Sequence, residues 1–169
     1  MTKFFPLTIG MIASFAGALI GPGLAQAHGD SHGKPRTDLP PEQKPWGIAG
    51  DPRKVSRTIT IRMTDDMRFT PRHIEVREGE TVRLRAENKG QVLHEIVIGT
   101  KAELDAHAEM MAKHPGMEHD EPYMAHVSPG KTGDIVWTFN RAGDFEFACL
   151  IAGHFEAGMR GTIRVKPQA

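Results

Sequence analysis

A period of two is the feature that most constrains this chain. The runs Val55 to Met63, His73 to Arg77, Thr81 to Ala86, Asp134 to Phe139, Phe145 to Cys149 and Gly161 to Val165 alternate apolar with polar side chains. A strand with this alternation has one dry face and one wet face, so it must lay the dry face against another sheet. His94-Glu-Ile-Val-Ile adds a further strand, and turn residues stand between the runs: Pro71, Glu78-Gly79-Glu80, Asn88-Lys89-Gly90 and Arg141-Ala142-Gly143-Asp144. Short strands at this spacing predict an all-β fold, a Greek-key antiparallel β-sandwich.

Between the two β blocks the period changes. Thr100-Lys-Ala-Glu103 has the form of a capping box, and the run that follows to His114 is rich in Ala, Glu, Leu, Lys and Met. This predicts a short helical insertion over about 100–126, stopped by Pro115-Gly116 and followed by an irregular segment leading to Tyr123-Met124-Ala-His126.

The chain begins with Lys3, a mostly apolar run from Phe4 to Leu24, and Ala25-Gln26-Ala27. That pattern predicts a signal peptide over residues 1–27, export to the periplasm, and a mature chain that starts at His28 without a membrane span. Residues 28–52, with Pro40, Pro41 and Pro45 and no apolar period, are expected to form a flexible arm containing His and Pro. The remaining 53–169 make one domain, expected to be a monomer.

Composition removes several classes of function. With 21 basic and 21 acidic residues the formal charge is zero, so no basic field exists to hold nucleic acid or an anionic membrane surface. The lone cysteine, Cys149, excludes an intramolecular disulfide, a multi-cysteine zinc site and an iron–sulfur cluster. There is no nucleophile–base motif, no phosphate-cradling glycine loop and no pair of His-x-His motifs, which argues against an enzyme. Nine His and nine Met are the compositional oddity, and these are side chains that copper favours. An unpaired thiol in an oxidising compartment must also be buried or held by a metal.

The chemistry concentrates in Cys149-Leu-Ile-Ala-Gly-His154-Phe-Glu-Ala-Gly-Met159, with His94 supplied from a distant strand end. Thiolate and thioether suit Cu(I), imidazole suits Cu(II), and a trigonal His₂Cys set with a weak axial Met serves both. A loop leaving one strand at Cys149 and entering the next after Met159 would wrap one ion, with Gly153 and Gly158 permitting the tight turns ahead of two of the ligands. Zinc is the competitor for Cys plus two His, but a thioether serves zinc poorly.

The ordered motifs Asn88-x-Gly-x-x-x-His94, Ser128-Pro-Gly, Ala142-Gly-Asp-Phe-Glu-Phe-x-Cys149, His154 and Gly158-Met159-x-Gly-Thr-Ile-x-Val resemble the cupredoxin family of plastocyanin, pseudoazurin and azurin. The Phe69-x-Pro-x-x-Ile-x-Val-x-x-Gly-Glu run matches the family's earlier strands. The resemblance implies a type 1 copper site with His94, Cys149 and His154 as equatorial ligands and Met159 as the axial one, and Asn88 and Glu95 just outside it. Two features depart from the family's pattern: Glu95 stands where many members carry Asn or Ser, and four residues separate Cys149 from His154 where plastocyanin has two. A carboxylate at Glu95 would either hydrogen-bond to the ligand loop's backbone or approach the copper.

Two further copper sites are candidates. His107, Met110, Met111 and His114 fall on one helical face, and Met117, His119, Met124 and His126 follow, a mixed set suited to Cu(I). The alternative is that the Met pair packs the helix onto the sandwich. At the mature N-terminus, the amine and ring of His28, with His32 nearby, are a candidate Cu(II) chelate; the alternative is a flexible arm whose histidines are incidental. The accessory His and Met load favours a periplasmic copper protein of copper tolerance over a one-electron carrier or a cuprous oxidase. Its expected partners are copper ions and a periplasmic redox or copper-handling protein.

Overall fold

The computed structural model describes residues 41–114, 117 and 119–168. Residues 1–27, expected to be a signal peptide, and the expected arm up to residue 40, with His28 and His32, lie outside these residues. The strands are β1 (Ile48–Ala49), β2 (Arg57–Thr64), β3 (Arg68–Thr70), β4 (His73–Arg77), β5 (Glu80–Asn88), β6 (His94–Gly99), β7 (Met124–Val127), β8 (Thr132–Phe139), β9 (Gly143–Ala148) and β10 (Arg160–Lys166). One helix, α1 (Lys101–Lys113), follows β6.

Burial follows the alternation. In β2, Ile61 and Met63 are buried while Thr60 and Arg62 are exposed; in β10, Gly161, Ile163 and Val165 are buried between exposed neighbours. The dry faces pair as a sandwich of two five-stranded sheets, one ordered β1-β8-β5-β2-β3 and the other β4-β10-β9-β6-β7. Trp137, Phe139, Phe69, Phe147, Leu84 and Ile96 fill the space between them. Most pairings are antiparallel, but β2 pairs with β5 and β10 with β4 in parallel. Each parallel pair joins strands whose connection visits the other sheet, through β4 in the first case and through β5 and β8 in the second.

Strand β6 is buried along its whole length, and its sequence neighbour explains why. Ile96 and Ile98 point into the sandwich, whereas Val97 faces out and is covered by Leu104, Ala108 and Met111 of α1, together with Met124, Ala148 and Leu150. The helix starts at a complete capping box: the Glu103 N–H donates to the Thr100 side chain, and the Thr100 N–H donates to the Glu103 carboxylate. Its buried residues, Leu104, Ala108 and Met111, are spaced four and three apart and form the stripe that seats on the sheet.

Where the sequence predicts an arm running to residue 52, the described stretch from Gln43 onward is docked on the sandwich. Ile48 and Ala49 pair with Thr138 and Trp137, Trp46 is buried, and the Trp137 indole N–H donates to the Trp46 carbonyl. A large aromatic contributes enough buried surface to fix a Pro-rich segment that lacks any period of its own. Among the described residues no helix is long and apolar enough to cross a membrane.

Candidate metal centre

Three strand ends meet at one end of the second sheet. His94 opens β6, Cys149 follows the last residue of β9, and Met159 precedes the first residue of β10. Strands β6, β9 and β10 are neighbours, so the register that pairs Val97 with Ala148 and Ala148 with Arg160 brings the three residues together. The fourth residue, His154, sits on the connecting loop. That loop is closed by its own backbone: Cys149 N–H donates to the Met159 carbonyl, Met159 N–H to the His154 carbonyl, and His154 N–H to the Ile151 carbonyl. Gly153 and Gly158 take φ values of +88° and +87°, a conformation that costs other residues about 1 kcal/mol or more.

The donor atoms of His94, Cys149 and His154 all lie within 4.8 Å of one another, and Sγ of Cys149 is 3.4 Å from Nδ1 of His154. The two imidazole rings are 5.1 Å apart. His94, Cys149 and Met159 are fully buried, whereas His154 is partly exposed. Among the described residues this is the one group of three or more His, Cys, Asp or Glu able to hold an ion.

Each donor is poised by a neighbour. His94 Nε2–H donates to Oδ1 of Asp65 at 3.0 Å, which leaves the lone pair on Nδ1, a buried atom without a hydrogen-bond partner. Metal-binding imidazoles commonly carry such a partner on the other nitrogen, and it fixes both tautomer and orientation. Asp65 lies in the β2–β3 turn of the opposite sheet, and its carboxylate also accepts from the Gln91 N–H at 2.7 Å. That N–H and His94 hold the Asp65 carboxyl below its usual range. Gly90 makes room for it: a Cβ there would lie 1.8 Å from Oδ1. Asn88 ties the same loop down, donating to the Val92 and Val127 carbonyls and accepting from the Gly90 N–H.

Burial pushes the Cys149 thiol up to about 12, so it stays protonated until a cation displaces the proton. The Glu95 N–H donates to Sγ at 3.3 Å, a contact that would stabilise the thiolate. Burial, along with the neighbouring His94, lowers the pKa of His154 and keeps its ring neutral and able to ligate. An orphaned imidazole nitrogen, a buried thiol beside an N–H, a second neutral imidazole and a buried thioether fit a copper ion.

Glu95 takes the first of the two courses open to it. Its carboxylate points to the outer, helix-covered face of the sheet, where Oε2 accepts from the Leu150 N–H at 3.2 Å and Oε1 stands 3.3 Å from Nε2 of His126. Burial pushes this carboxyl up to about 7, with the Leu150 N–H opposing. Glu95 thus braces the backbone just after Cys149.

The residues of the insertion separate into groups. Met111 and Met124 are buried beneath the helix, and His126 faces Glu95. Met110, His114 and Met117 are exposed. His107 and His119 meet, with ring centroids 4.8 Å apart. Asp65 was invisible to sequence reasoning because an acidic residue in Thr64-Asp65-Asp66-Met67 reads as ordinary turn chemistry.

The family described as copper binding proteins, plastocyanin/azurin family, matches residues 55–166. The copper-resistant cuproprotein CopI of Rubrivivax gelatinosus is 52% identical over 122 residues, covering 72% of this chain and 74% of that one. The CopI of Pseudomonas aeruginosa is 33% identical, covering 83% of this chain and 86% of its own. Among solved structures, the dithionite-reduced auracyanin of Roseiflexus castenholzii superposes with a TM-score of 0.57 at 24% identity, over 67% of this chain and 99% of the auracyanin.

Proposed function

Because the chain belongs to the plastocyanin/azurin family of copper binding proteins, we propose that it is a periplasmic type 1 copper protein of copper tolerance, with His94, Cys149, His154 and Met159 as its ligands. The observation that carries this reading is the buried, unpartnered Nδ1 of His94, held toward Cys149 and His154 by the bond from Nε2 to Asp65. Copper held by this set would supply a one-electron couple stabilised in both states by a mixed sulfur and nitrogen environment. The chain's own residues do the rest. Asp65 and Asn88 fix the loop that carries His94, Glu95 braces the strand end that carries Cys149, and the buried thiol gives up its proton on binding.

Tolerance is favoured over electron carriage by the likeness to copper-resistant cuproproteins. The copper growth limit of a periplasm-bearing host that lacks its own copy tests it. Expression of the chain should raise that limit, and Cys149→Ser should not. Equal protection by both would remove the site from the function. A carrier role has one observation in its favour: partly exposed His154 and exposed Val92 and Leu93, just ahead of His94, give the centre an apolar approach. Rapid electron exchange with a periplasmic redox protein, unchanged copper limits notwithstanding, would favour that reading.

A further inference from the structure

The loop that carries His154 is gripped from outside by two arginines. Arg68 of β3 donates to the Ala157 carbonyl at 3.1 Å. Arg160, the first residue of β10, stands opposite Ala148 in the register of its sheet and follows Met159 directly. Its guanidinium carbon lies 4.3 Å from the centre of the Phe155 ring, a cation–π stack on the residue next to His154. Phe155 is partly buried and packs on the cluster that Leu104, Ala108 and Met111 of α1 form with Leu150.

Arg160 is itself held in place. Its Nη2 donates to Oδ1 of Asp105, in the second turn of α1, at 2.9 Å and to Oε2 of Glu146 on β9 at 3.4 Å. Lys101, together with Arg160, holds the Asp105 carboxyl below its usual range, so this anchor is charged. A planar guanidinium can meet two carboxylates with its edge while its face lies over a ring, which the point charge of a lysine cannot do. An exposed ion pair by itself contributes little to stability, so the consequence of this network is where it puts Phe155. His94, Cys149 and Met159 are buried at strand ends, whereas His154 is partly exposed on the loop. Of the four, its place depends most on what grips the loop from outside.

We propose that Arg160 is a positioning residue for His154: stacked on Phe155 and anchored to Asp105 and Glu146, it holds the His154 imidazole beside Cys149 and couples α1 to the metal centre. This deepens the type 1 copper reading and rests on it for the effect on copper, though not for the hold on the loop.

The test compares the full mature chain with Arg160→Lys, Phe155→Leu and the double variant, none of which changes the charge. In the copper-free proteins, nuclear magnetic relaxation of the His154 imidazole should report greater motion in each variant, with His94 unaltered. Equal motion in all four would overturn the proposal. In the copper-loaded proteins, imidazole favours Cu(II) over Cu(I), so a loosened His154 should cost roughly tenfold in Cu(II) affinity and leave Cu(I) affinity nearly unchanged. For a one-electron couple that tenfold raises the midpoint potential by about 59 mV. The double variant should shift no further than either single one, because both remove one contact. A role for Arg160 through its charge alone predicts that Arg160→Lys keeps the wild-type midpoint, and that result would overturn the proposal, as would additive shifts in the double variant. A wild type without the thiolate-to-copper band, with the copper-free difference intact, would defeat the type 1 reading and leave the hold of Arg160 on the loop standing.

Discussion

His94 Nε2–H donates to Asp65 Oδ1 at 3.0 Å, so a turn of one sheet sets the orientation of an imidazole on the other, the one proposed as a copper ligand. The contact depends on the parallel pairing of β2 with β5, in which Met63 stands opposite Asn88 and brings the β2–β3 turn beside the loop that leads to His94.

Asp65→Ala is therefore expected to weaken copper binding by roughly 10–100-fold while leaving the visible band recognisable, since every ligand remains. Competition with a chelator of known affinity measures this. Unchanged affinity would mean that the carboxylate serves the turn alone.

Gly90→Ala should reproduce much of that effect by a different route. Its Cβ would stand 1.8 Å from the Asp65 carboxylate and force it off His94 and the Gln91 N–H. Combining Gly90→Ala with Asp65→Ala should cost little more than either alone, because both remove one contact. Additive losses in copper affinity would show that the two positions act separately.

Glu95 gives a pH dependence to the metal-free protein. Its folded pKa, near 7, lies above the ordinary 4.5, so the folded state holds a proton that the unfolded state has lost between those values. Stability from this group is complete below about pH 4.5 and declines as pH rises through 7, by up to about 3 kcal/mol at 1.36 kcal/mol per unit. Chemical denaturation of apo wild type and Glu95→Gln across that range checks the sign. The difference in stability, variant minus wild type, should grow toward neutral pH, and a constant difference would show that Glu95 does not titrate there.

Leu104→Ala should cost about 2–5 kcal/mol, as for other fully buried leucines, because Leu104 packs with Val97, Ala148 and Leu150 beneath the helix. The visible band of the copper-loaded variant should not move, since the ligands belong to the inner face. A changed band would mean that the helix packing sets the ligand geometry.

The strands were legible because alternation reports directly on which residues are dry, and the capping box at Thr100 and Glu103 marked the helix start. The grouping of Cys149, His154 and Met159 was legible because they share one short loop. What the sequence hid depends on register. Asp65 reaches His94 only through strand pairing, and His126 reaches Glu95 only because β7 pairs with β6 so that the two stand opposite each other. Helical periodicity grouped His107 with Met110, Met111 and His114, yet its ring partner, His119, comes from beyond the helix end, where no period operates. Trp46 docks on Trp137 and Tyr123 from a segment whose prolines read as a free arm.

A Cu(II) titration of the mature protein, followed by visible absorption and electron paramagnetic resonance beside Cys149→Ser, tests the central claim most directly. An intense thiolate-to-copper band that saturates at one equivalent and vanishes in the variant is the predicted result. Folded, reduced protein that takes up Cu(II) without that band would contradict the account, because His94, Cys149 and His154 would then not share one ion.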